Sequence, residues 1–211
     1  MIGLVLGETQ LGGLIIKRLK SLKKKFIIID ITKKKIFKKN NNSFPLSIGQ
    51  LGKAISLLRK YKCKKLIFAG KVNTPNFSTT KFDLKAIYYL PKIIKGSNKG
   101  DASIIKTVIS IFKKEGFKIL SSTFFNPELL LKKGTHSKLK PNFLDKKDMI
   151  KGKNIIADLS KRNVGQAIII RNSHVIAIED SKGTDVMLKR ASNLLKKFPN
   201  KNKKQGILLK F

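Results

Sequence analysis

Short apolar runs alternate with amphipathic stretches along the first half of the chain. Residues 2–6 form an apolar run closed by Gly7, and residues 11–22 place leucine and isoleucine along one helical stripe. Residues 26–31 form a second apolar run, which contains Asp30. A strand, a glycine-containing turn, a helix and a strand in this order predict a Rossmann-like opening with a buried parallel sheet.

The same alternation continues to residue 121 and predicts two more strands and three more helices. Helices are expected from residue 49 to 58, from 84 to 94 and from 103 to 114, with Pro91 ending or kinking the second. Strands are expected at 66–69 and 117–121, while 33–42 and 96–101 have the composition of polar turns. Asp101 is placed to cap the last of these helices.

A segment without periodicity separates the two halves of the chain. Residues 131–141 contain Gly, Ser, Lys and Pro, which is the composition of a linker. The pattern therefore predicts an α/β protein of two domains: an N-terminal Rossmann-like domain with a parallel sheet over 1–130, a linker over 131–142, and a smaller, incomplete C-terminal α/β domain over 143–211. That second domain is expected to have helices at 145–159 and 186–195, a basic loop at 196–205 and a strand that begins at 206.

The most structured pattern of the second half is a pair of β-branched apolar runs between residues 163 and 179. The polar pair Asn172-Ser173 separates them, which predicts a hairpin. The second run leads into a segment that holds Glu179, Asp180 and Asp185. Carboxylates at a strand end, on a loop with glycine, could hold Mg²⁺ or orient a water molecule.

A second interpretation of residues 183–185 is that they begin a helix, with Thr184 or Asp185 as its N-cap. The two interpretations are compatible, because a helix N-terminus is also a favourable neighbour for phosphate.

A candidate phosphate contact in the first half is Lys71. It follows the apolar run 66–69, and ligands of open α/β sheets bind at the carboxyl ends of the strands. The alternative is that Lys71 is one solvated lysine among many. Asp30 lies near the spacing of a ribose-binding acid, but the glycines at 3, 7, 12 and 13 match neither dinucleotide nor P-loop fingerprints. A nicotinamide cofactor is therefore not expected.

The composition is strongly basic, with 47 Lys+Arg against 12 Asp+Glu and a formal charge of +35. Such a balance is typical of proteins that bind nucleic acid or an anionic membrane. Here the lysines are spread through the chain beside abundant Ile, Asn and Phe, which favours compositional drift. Arginine is scarce and no aromatic reading motif is present, so no nucleic-acid partner is expected.

Cellular location is constrained by three further features. The single cysteine, Cys63, cannot form an intramolecular disulfide, which fits a reducing compartment. The start of the chain lacks the pattern of a signal peptide, and no apolar run reaches the roughly 20 residues of a spanning helix. A cytoplasmic protein is expected, with contact to a membrane surface possible.

Eight short motifs occur in a fixed order along the chain. They are Gly-Leu-x-x-Gly at 3–7, Gly-Gln-Leu-Gly-Lys-x-Ile at 49–55, Phe-Ala-Gly-Lys-Val-x-x-Pro at 68–75, Leu-Pro-Lys at 90–92, Lys-Gly-Asp at 99–101, Glu-Gly-Phe at 115–117, Val-Gly-Gln-Ala at 164–167 and Gly-Thr-Asp at 183–185. Together they resemble the LpxI-type UDP-2,3-diacylglucosamine pyrophosphatases of lipid A synthesis.

The resemblance implies two α/β domains joined by a linker, with the substrate and its acyl chains held in a cleft between them. It implies hydrolysis of UDP-2,3-diacylglucosamine to UMP and 2,3-diacylglucosamine 1-phosphate with Mg²⁺ or a similar divalent ion. It also implies a homodimer that acts at the cytoplasmic face of the inner membrane.

Candidate site residues follow from the matched motifs and the chemistry of pyrophosphate hydrolysis. The substrate-binding candidates are Gly7, Gln50, Gly70, Lys71, Gly100, Gln166 and Thr184, with backbone amides near Gly7 as phosphate donors. The metal-binding candidates are Asp101, Glu179 and Asp185, of which Asp101 and Asp185 are also the catalytic candidates.

The chain departs from the family pattern at four places. Glu8-Thr9 follows Gly7 where the family has more glycine, Ala102 follows Asp101, and Lys182 precedes Gly-Thr-Asp. An Asp-Leu-Pro-Thr-Ile-Gly stretch, whose Asp the resemblance would make catalytic, is expected beyond Phe211, so the chain is interpreted as C-terminally truncated. This chain is then expected to bind the substrate weakly while releasing UMP at or near background. The alternative is a non-catalytic protein that binds nucleotide or lipid. A basic nucleic-acid-binding protein is the third interpretation.

Overall fold

The computed structural model describes residues 1–72, 76–97, 101–161, 164–180, 182–196 and 206–210. The chain divides into two compact units: unit 1 is Met1–Lys133 and unit 2 is Gly134–Phe211. Unit 1 carries a parallel sheet with helices, and unit 2 carries a smaller antiparallel sheet with helices, so the predicted two-domain α/β class is confirmed. Among the described helices, none is both long and apolar enough to cross a membrane.

Unit 1 alternates strands and helices in the predicted order. Its elements are β1 (Ile2–Leu6), α1 (Gln10–Ser21), β2 (Phe26–Asp30), β3 (Ser43–Pro45), α2 (Leu51–Lys60), β4 (Lys65–Ala69), α3 (Leu84–Ser97), α4 (Asp101–Lys114), β5 (Lys118–Leu120) and a 3₁₀ turn (Pro127–Leu129). All neighbouring strands are parallel and lie in the order β3-β2-β1-β4-β5. The sheet is therefore open and parallel, with the strand order of a Rossmann-like fold, as the opening pattern predicts.

The core of unit 1 lies on both faces of this sheet, which explains why its central strand, β1, is apolar at every position. On one face, Leu4 of β1 belongs to a cluster with Ile15 and Leu19 of α1. On the other, Val5 belongs to a cluster with Leu58 of α2. Each fully buried side chain of this size contributes about 1.5–3 kcal/mol relative to its exposed state.

Two features of unit 1 differ from the sequence-based expectation. No strand is predicted at Ser43–Pro45, yet β3 pairs there with β2 at the sheet edge, where Pro45 is tolerated because only one side of the strand is paired. Helix α3 also runs on past Pro91 to Ser97 rather than ending at it.

Unit 2 contains α5 (Phe143–Lys161), β6 (Ala167–Arg171), β7 (His174–Ile178), α6 (Thr184–Lys196) and β8 (Ile207–Lys210). Its sheet is antiparallel in the order β7-β6-β8. Ile156 of α5 packs with Ile168 and Ile170 of β6 to form the buried centre. Helix α5 begins two residues before the predicted start because Asn142 and Asp145 exchange hydrogen bonds of 2.9 and 3.0 Å between side chains and backbone, as in a capping box.

The predicted hairpin is confirmed, and α5 holds its turn. Asn172 and Ser173 have φ of +48° and +63°, as a two-residue primed turn requires. Oδ1 of Asp148 accepts the Ser173 N–H at 2.7 Å, and Nζ of Lys151 donates to the Ser173 carbonyl at 2.6 Å. Side chains of α5 therefore satisfy both backbone groups of Ser173.

Candidate functional site

The loops after β1 and β4 meet at the carboxyl edge of the parallel sheet. Glu8 donates its N–H to the Lys71 carbonyl at 2.8 Å, and Lys71 donates its N–H to the Glu8 carbonyl at 3.2 Å. The Gly7 N–H donates to the Ala69 carbonyl at 2.9 Å. The structure thus brings together Gly7, Gly70 and Lys71, three of the candidate substrate-binding residues.

Glycine is required on both sides of this contact. A Cβ atom at Gly7 would lie 2.3 Å from the Lys71 carbonyl oxygen. Gly70 has φ of +97°, and a Cβ there would lie 2.5 Å from the Gly7 carbonyl oxygen. The two loops approach each other backbone to backbone, which any larger residue would prevent.

The same hydrogen bonds change the role expected of the backbone amides. The N–H groups of Gly7, Glu8 and Lys71 all donate to carbonyls of the chain, so they are not available as phosphate donors. The side chain of Lys71 is exposed, and its ammonium group offers three donors toward solvent or a ligand. In this loop pair the candidate phosphate contact is therefore the Lys71 ammonium group.

A cavity of about 370 Å³ lies beside this edge, within unit 1. Val5, Ile29 and Phe68, near the carboxyl ends of β1, β2 and β4, line it together with apolar side chains of α2, α3 and α4. The polar side chains that line it, among the residues that the structure describes, are Ser47, Gln50 and Ser122, all outside the helices and strands. Of the predicted substrate-binding residues, Gln50 and Gly70 line the cavity.

The motif at 49–53 fixes the start of α2 beside the cavity. The Oε1 atom of Gln50 accepts the Ser47 N–H at 2.9 Å, which fixes the orientation of the amide, and the Nε2 amino group is a donor that can serve a ligand. A Cβ at Gly49 would lie 2.1 Å from the Lys81 carbonyl oxygen, so this position also requires close backbone approach.

Asp83 ties α2 to α3 at this point. Its Oδ1 accepts the Ala86 N–H at 2.8 Å, and its Oδ2 accepts the Lys53 N–H at 3.0 Å. Burial alone would raise the pKa of Asp83, but backbone hydrogen bonds, led by that from Ala86, hold it below its ordinary value. The carboxylate is charged near neutral pH and fixes the relative position of two helices that line the cavity.

Asp30, the acid at the end of β2, is bound by its own loop. Its carboxylate accepts the Thr32 N–H at 3.0 Å, the Thr32 hydroxyl at 2.6 Å and the Phe37 N–H at 2.9 Å. The residue is fully buried. Asp30 therefore organises residues 32–37, which accounts for its position without a ribose ligand.

In unit 2, four residues form a polar cluster where β6 and α6 begin and β7 and β8 end. Glu179 accepts the Gln166 N–H on Oε2 at 2.9 Å and the Thr184 hydroxyl on Oε1 at 2.5 Å. Lys210 donates from Nζ to the Thr184 hydroxyl at 2.6 Å. We call Gln166, Glu179, Thr184 and Lys210 the unit 2 polar cluster. Three of its members are predicted from sequence, and Lys210 is not.

The first turn of α6 differs from the predicted cap. The helix begins at Thr184, and the Thr184 hydroxyl bonds to Glu179 instead of capping the helix. Asp185 lies exposed in that first turn, where the helix dipole favours a carboxylate. A backbone hydrogen bond from Lys182, followed by one from the Arg190 side chain, lowers the pKa of Asp180.

The described residues do not fit a divalent metal. They contain no group of three or more His, Cys, Asp or Glu side chains placed to hold an ion. Both oxygens of Glu179 already accept hydrogen bonds from the chain. Asp101 begins α4, but its side chain and the whole of Gly100 lie outside the described residues. No ligand set for Mg²⁺ follows from this geometry.

Comparisons with known proteins place these features in a family. Residues 1–129 match the LpxI N-terminal domain, and residues 132–211 match the LpxI C-terminal domain. Over 149 residues the chain is 32% identical to the UDP-2,3-diacylglucosamine pyrophosphatase LpxI of Caulobacter vibrioides. The match covers 71% of this chain and 53% of the relative, so it spans about half of the relative's length. Because the two domain matches together cover nearly the whole sequence, the chain belongs to the LpxI family.

Proposed function

We propose that this chain hydrolyses the pyrophosphate of UDP-2,3-diacylglucosamine to UMP and 2,3-diacylglucosamine 1-phosphate in lipid A synthesis. The observation that carries the proposal is the apolar cavity of unit 1 at the carboxyl edge of the sheet. A diacylated substrate needs apolar surface for its tails, and open α/β sheets bind ligands at this edge. The similarity to the Caulobacter pyrophosphatase supports the same assignment.

Pyrophosphate hydrolysis requires neutralisation of charge on the phosphoryl oxygens and a positioned water. In unit 1, the exposed ammonium group of Lys71 supplies positive charge beside the cavity edge. In unit 2, Lys210 supplies it within the unit 2 polar cluster, next to the Thr184 hydroxyl. Asp101 and Asp185 remain the proposed groups to orient water, each at the start of a helix.

A divalent cation stays in the proposal as a further source of positive charge on the pyrophosphate, as the family resemblance implies. No step is assigned to it, because the described residues do not supply its ligands. The homodimer and the position at the cytoplasmic face of the inner membrane are proposals on the same ground. Sedimentation of the purified chain and flotation with anionic vesicles test them.

A second candidate function is binding of the substrate without turnover. It is favoured by Glu179, whose two oxygens each accept a hydrogen bond inside the unit 2 polar cluster, so that the carboxylate serves the fold of unit 2. On this alternative the cavity and Lys71 bind the lipid and its phosphate, and no UMP is released.

The test measures UMP release and substrate binding by the purified chain with Mg²⁺, for the wild type and two variants. Lys71→Ala should lower the affinity for UDP-2,3-diacylglucosamine by about tenfold through loss of a charged phosphate contact. Lys17→Ala, which removes an exposed lysine of α1, is the matched control and should change nothing. Binding without UMP release selects the second candidate, and absence of both overturns the proposed function.

A further inference from the structure

The cavity of unit 1 has a size that fits a single acyl chain. Its volume is about 370 Å³. A methylene group is close in size to a water molecule, which occupies about 30 Å³ in the liquid, so the cavity holds roughly a dozen carbons. We propose that it binds one acyl chain of about that length, and that Ala54 and Ala86 set the length it accepts. The identity of the lipid rests on the proposed function, whereas the acyl pocket itself does not.

The cavity is polar at one side and apolar elsewhere, as an acyl chain with a polar head requires. Ser47, Gln50 and Ser122 lie in loops at the carboxyl edge of the sheet, where Gly70 also lines the cavity. Among the described residues, no charged side chain lines it. The helices contribute apolar side chains, among them Ile93 of α3 and Phe112 of α4. The carboxyl end of the bound chain therefore lies at the loops, and its methyl end lies among the helices.

Two alanines leave room where two helices face the cavity. Ala54 of α2 and Ala86 of α3 both line it, and both are buried. Leucine has three more carbons than alanine and is nearly as good a helix former, so the change fills space at little cost to the helix. An Ala→Leu change at either position should remove space for about three carbons, at roughly 30 Å³ each.

The apolar side chains that line the cavity lack packing partners on its side, and a bound acyl chain supplies them. Saturated fatty acids of eight, twelve and sixteen carbons are suitable probes, because they contain the acyl chain without the nucleotide. Each is titrated against the full chain in competition with a fluorescent fatty acid. We expect the wild type to bind the twelve-carbon acid at least tenfold more tightly than the sixteen-carbon acid.

The variants change the preferred length in opposite directions. Ala86→Leu and Ala54→Leu should each weaken binding of the twelve-carbon acid about tenfold and move the preference towards eight carbons. Ile93→Ala enlarges the cavity and should improve binding of the sixteen-carbon acid, a gain that misfolding cannot produce. Ala157→Leu, on α5 in unit 2, is the control and should leave the preference unchanged.

Two results would overturn the proposal. One is that no fatty acid binds. The other is that the length preference stays the same in all three cavity variants while their circular dichroism matches the wild type. Fatty acid binding without UMP release from UDP-2,3-diacylglucosamine supports the acyl pocket and counts against the proposed hydrolysis. UMP release with no dependence on cavity size supports hydrolysis and counts against the pocket.

Discussion

The Thr184 hydroxyl donates a hydrogen bond of 2.5 Å to Oε1 of Glu179. The Thr184 hydroxyl oxygen itself accepts a hydrogen bond from Nζ of Lys210 at 2.6 Å, so one hydroxyl links an acid after β7 to a lysine at the end of β8. Since the side chains of Glu179 and Lys210 carry opposite charges, this arrangement compensates both charges through a short polar chain. Thr184 is the residue on which the unit 2 polar cluster depends.

Replacement of this hydroxyl is the first prediction. Thr184→Val should lower the free energy of unfolding of unit 2 by about 1–2 kcal/mol, because a partly buried carboxylate loses a charged hydrogen bond. Thr184→Ser keeps the hydroxyl and should stay within about 0.5 kcal/mol of the wild type. Urea unfolding followed by circular dichroism measures both. A Thr184→Val variant as stable as the wild type would show that the hydroxyl does not stabilise unit 2.

The second prediction concerns Glu115, which joins three helices of unit 1. Its Oε2 lies 2.8 Å from Arg59 and 2.7 Å from Nζ of Lys85, and its Oε1 accepts the Tyr89 hydroxyl at 3.0 Å. Burial would raise the pKa of Glu115, but the hydrogen bonds from Lys85 and Tyr89 and the nearby cations hold it below its ordinary value of 4.5.

A lowered folded-state pKa stabilises the protein above the pKa of the unfolded chain and ceases to do so as pH falls through the folded value. Glu115→Gln should therefore lower Tm by a constant amount above about pH 5, and the difference should close below pH 4.5. Asp158→Asn is the control: Asp158 and its partner Lys161 are 73% and 79% exposed, so no measurable change is expected. A difference that persists at low pH would contradict the ionic explanation.

The third prediction compares two glycines of unit 1. Gly70→Ala should destabilise by at least about 1–2 kcal/mol, because φ is +97° and a Cβ would meet the Gly7 carbonyl oxygen at 2.5 Å. Gly13→Ala should instead stabilise by about 0.5–1 kcal/mol, because Gly13 is an interior residue of α1 whose Cβ would meet nothing within 4 Å. Thermal unfolding measures both. A Gly70→Ala variant as stable as the wild type would mean that the two loops do not meet as described.

The fourth prediction uses Cys63, the single cysteine of the sequence. It is 5% exposed between α2 and β4, and burial raises the pKa of its thiol. Because the thiolate is the reactive form, an aromatic disulfide reagent should label the native protein about 100-fold more slowly than the chain in urea. Rapid labelling of the native protein would show that the α2–β4 connection opens easily.

The buried strands β1, β2 and β4 can be predicted from sequence because strands covered on both faces are continuous apolar runs. Strand β3 cannot, since three residues with a proline show no periodicity, and its place depends on the register with β2. Helix α3 continues through Pro91 because its packing against α4 offsets the lost hydrogen bond, a tertiary effect that local pattern does not report.

The candidate site could be predicted only where chain topology fixes it. Parallel strands end at one edge, so the meeting of Gly7 with Gly70 follows from the order of elements. The mutual hydrogen bonds between the backbones of Glu8 and Lys71 depend on an isolated bridge that no motif encodes. The cavity also gives no sequence signal, because each residue that lines it resembles an ordinary core residue. Lys210 could not be predicted as a site residue, because lysine is frequent throughout this chain and its position carries no distinguishing motif.

The order of strands in the sheet of unit 1 has a consequence for synthesis on the ribosome. Strand β1 lies near the centre of the sheet, yet it precedes both of its neighbours, β2 and β4, in the chain. At about 5–20 residues per second, roughly ten seconds separate the emergence of β1 from that of β5. Ile2–Leu6 is buried at every position in the folded unit. During this interval it lacks most of the strands and helices that bury it. We therefore expect the nascent chain to be a substrate for chaperones that recognise exposed apolar segments.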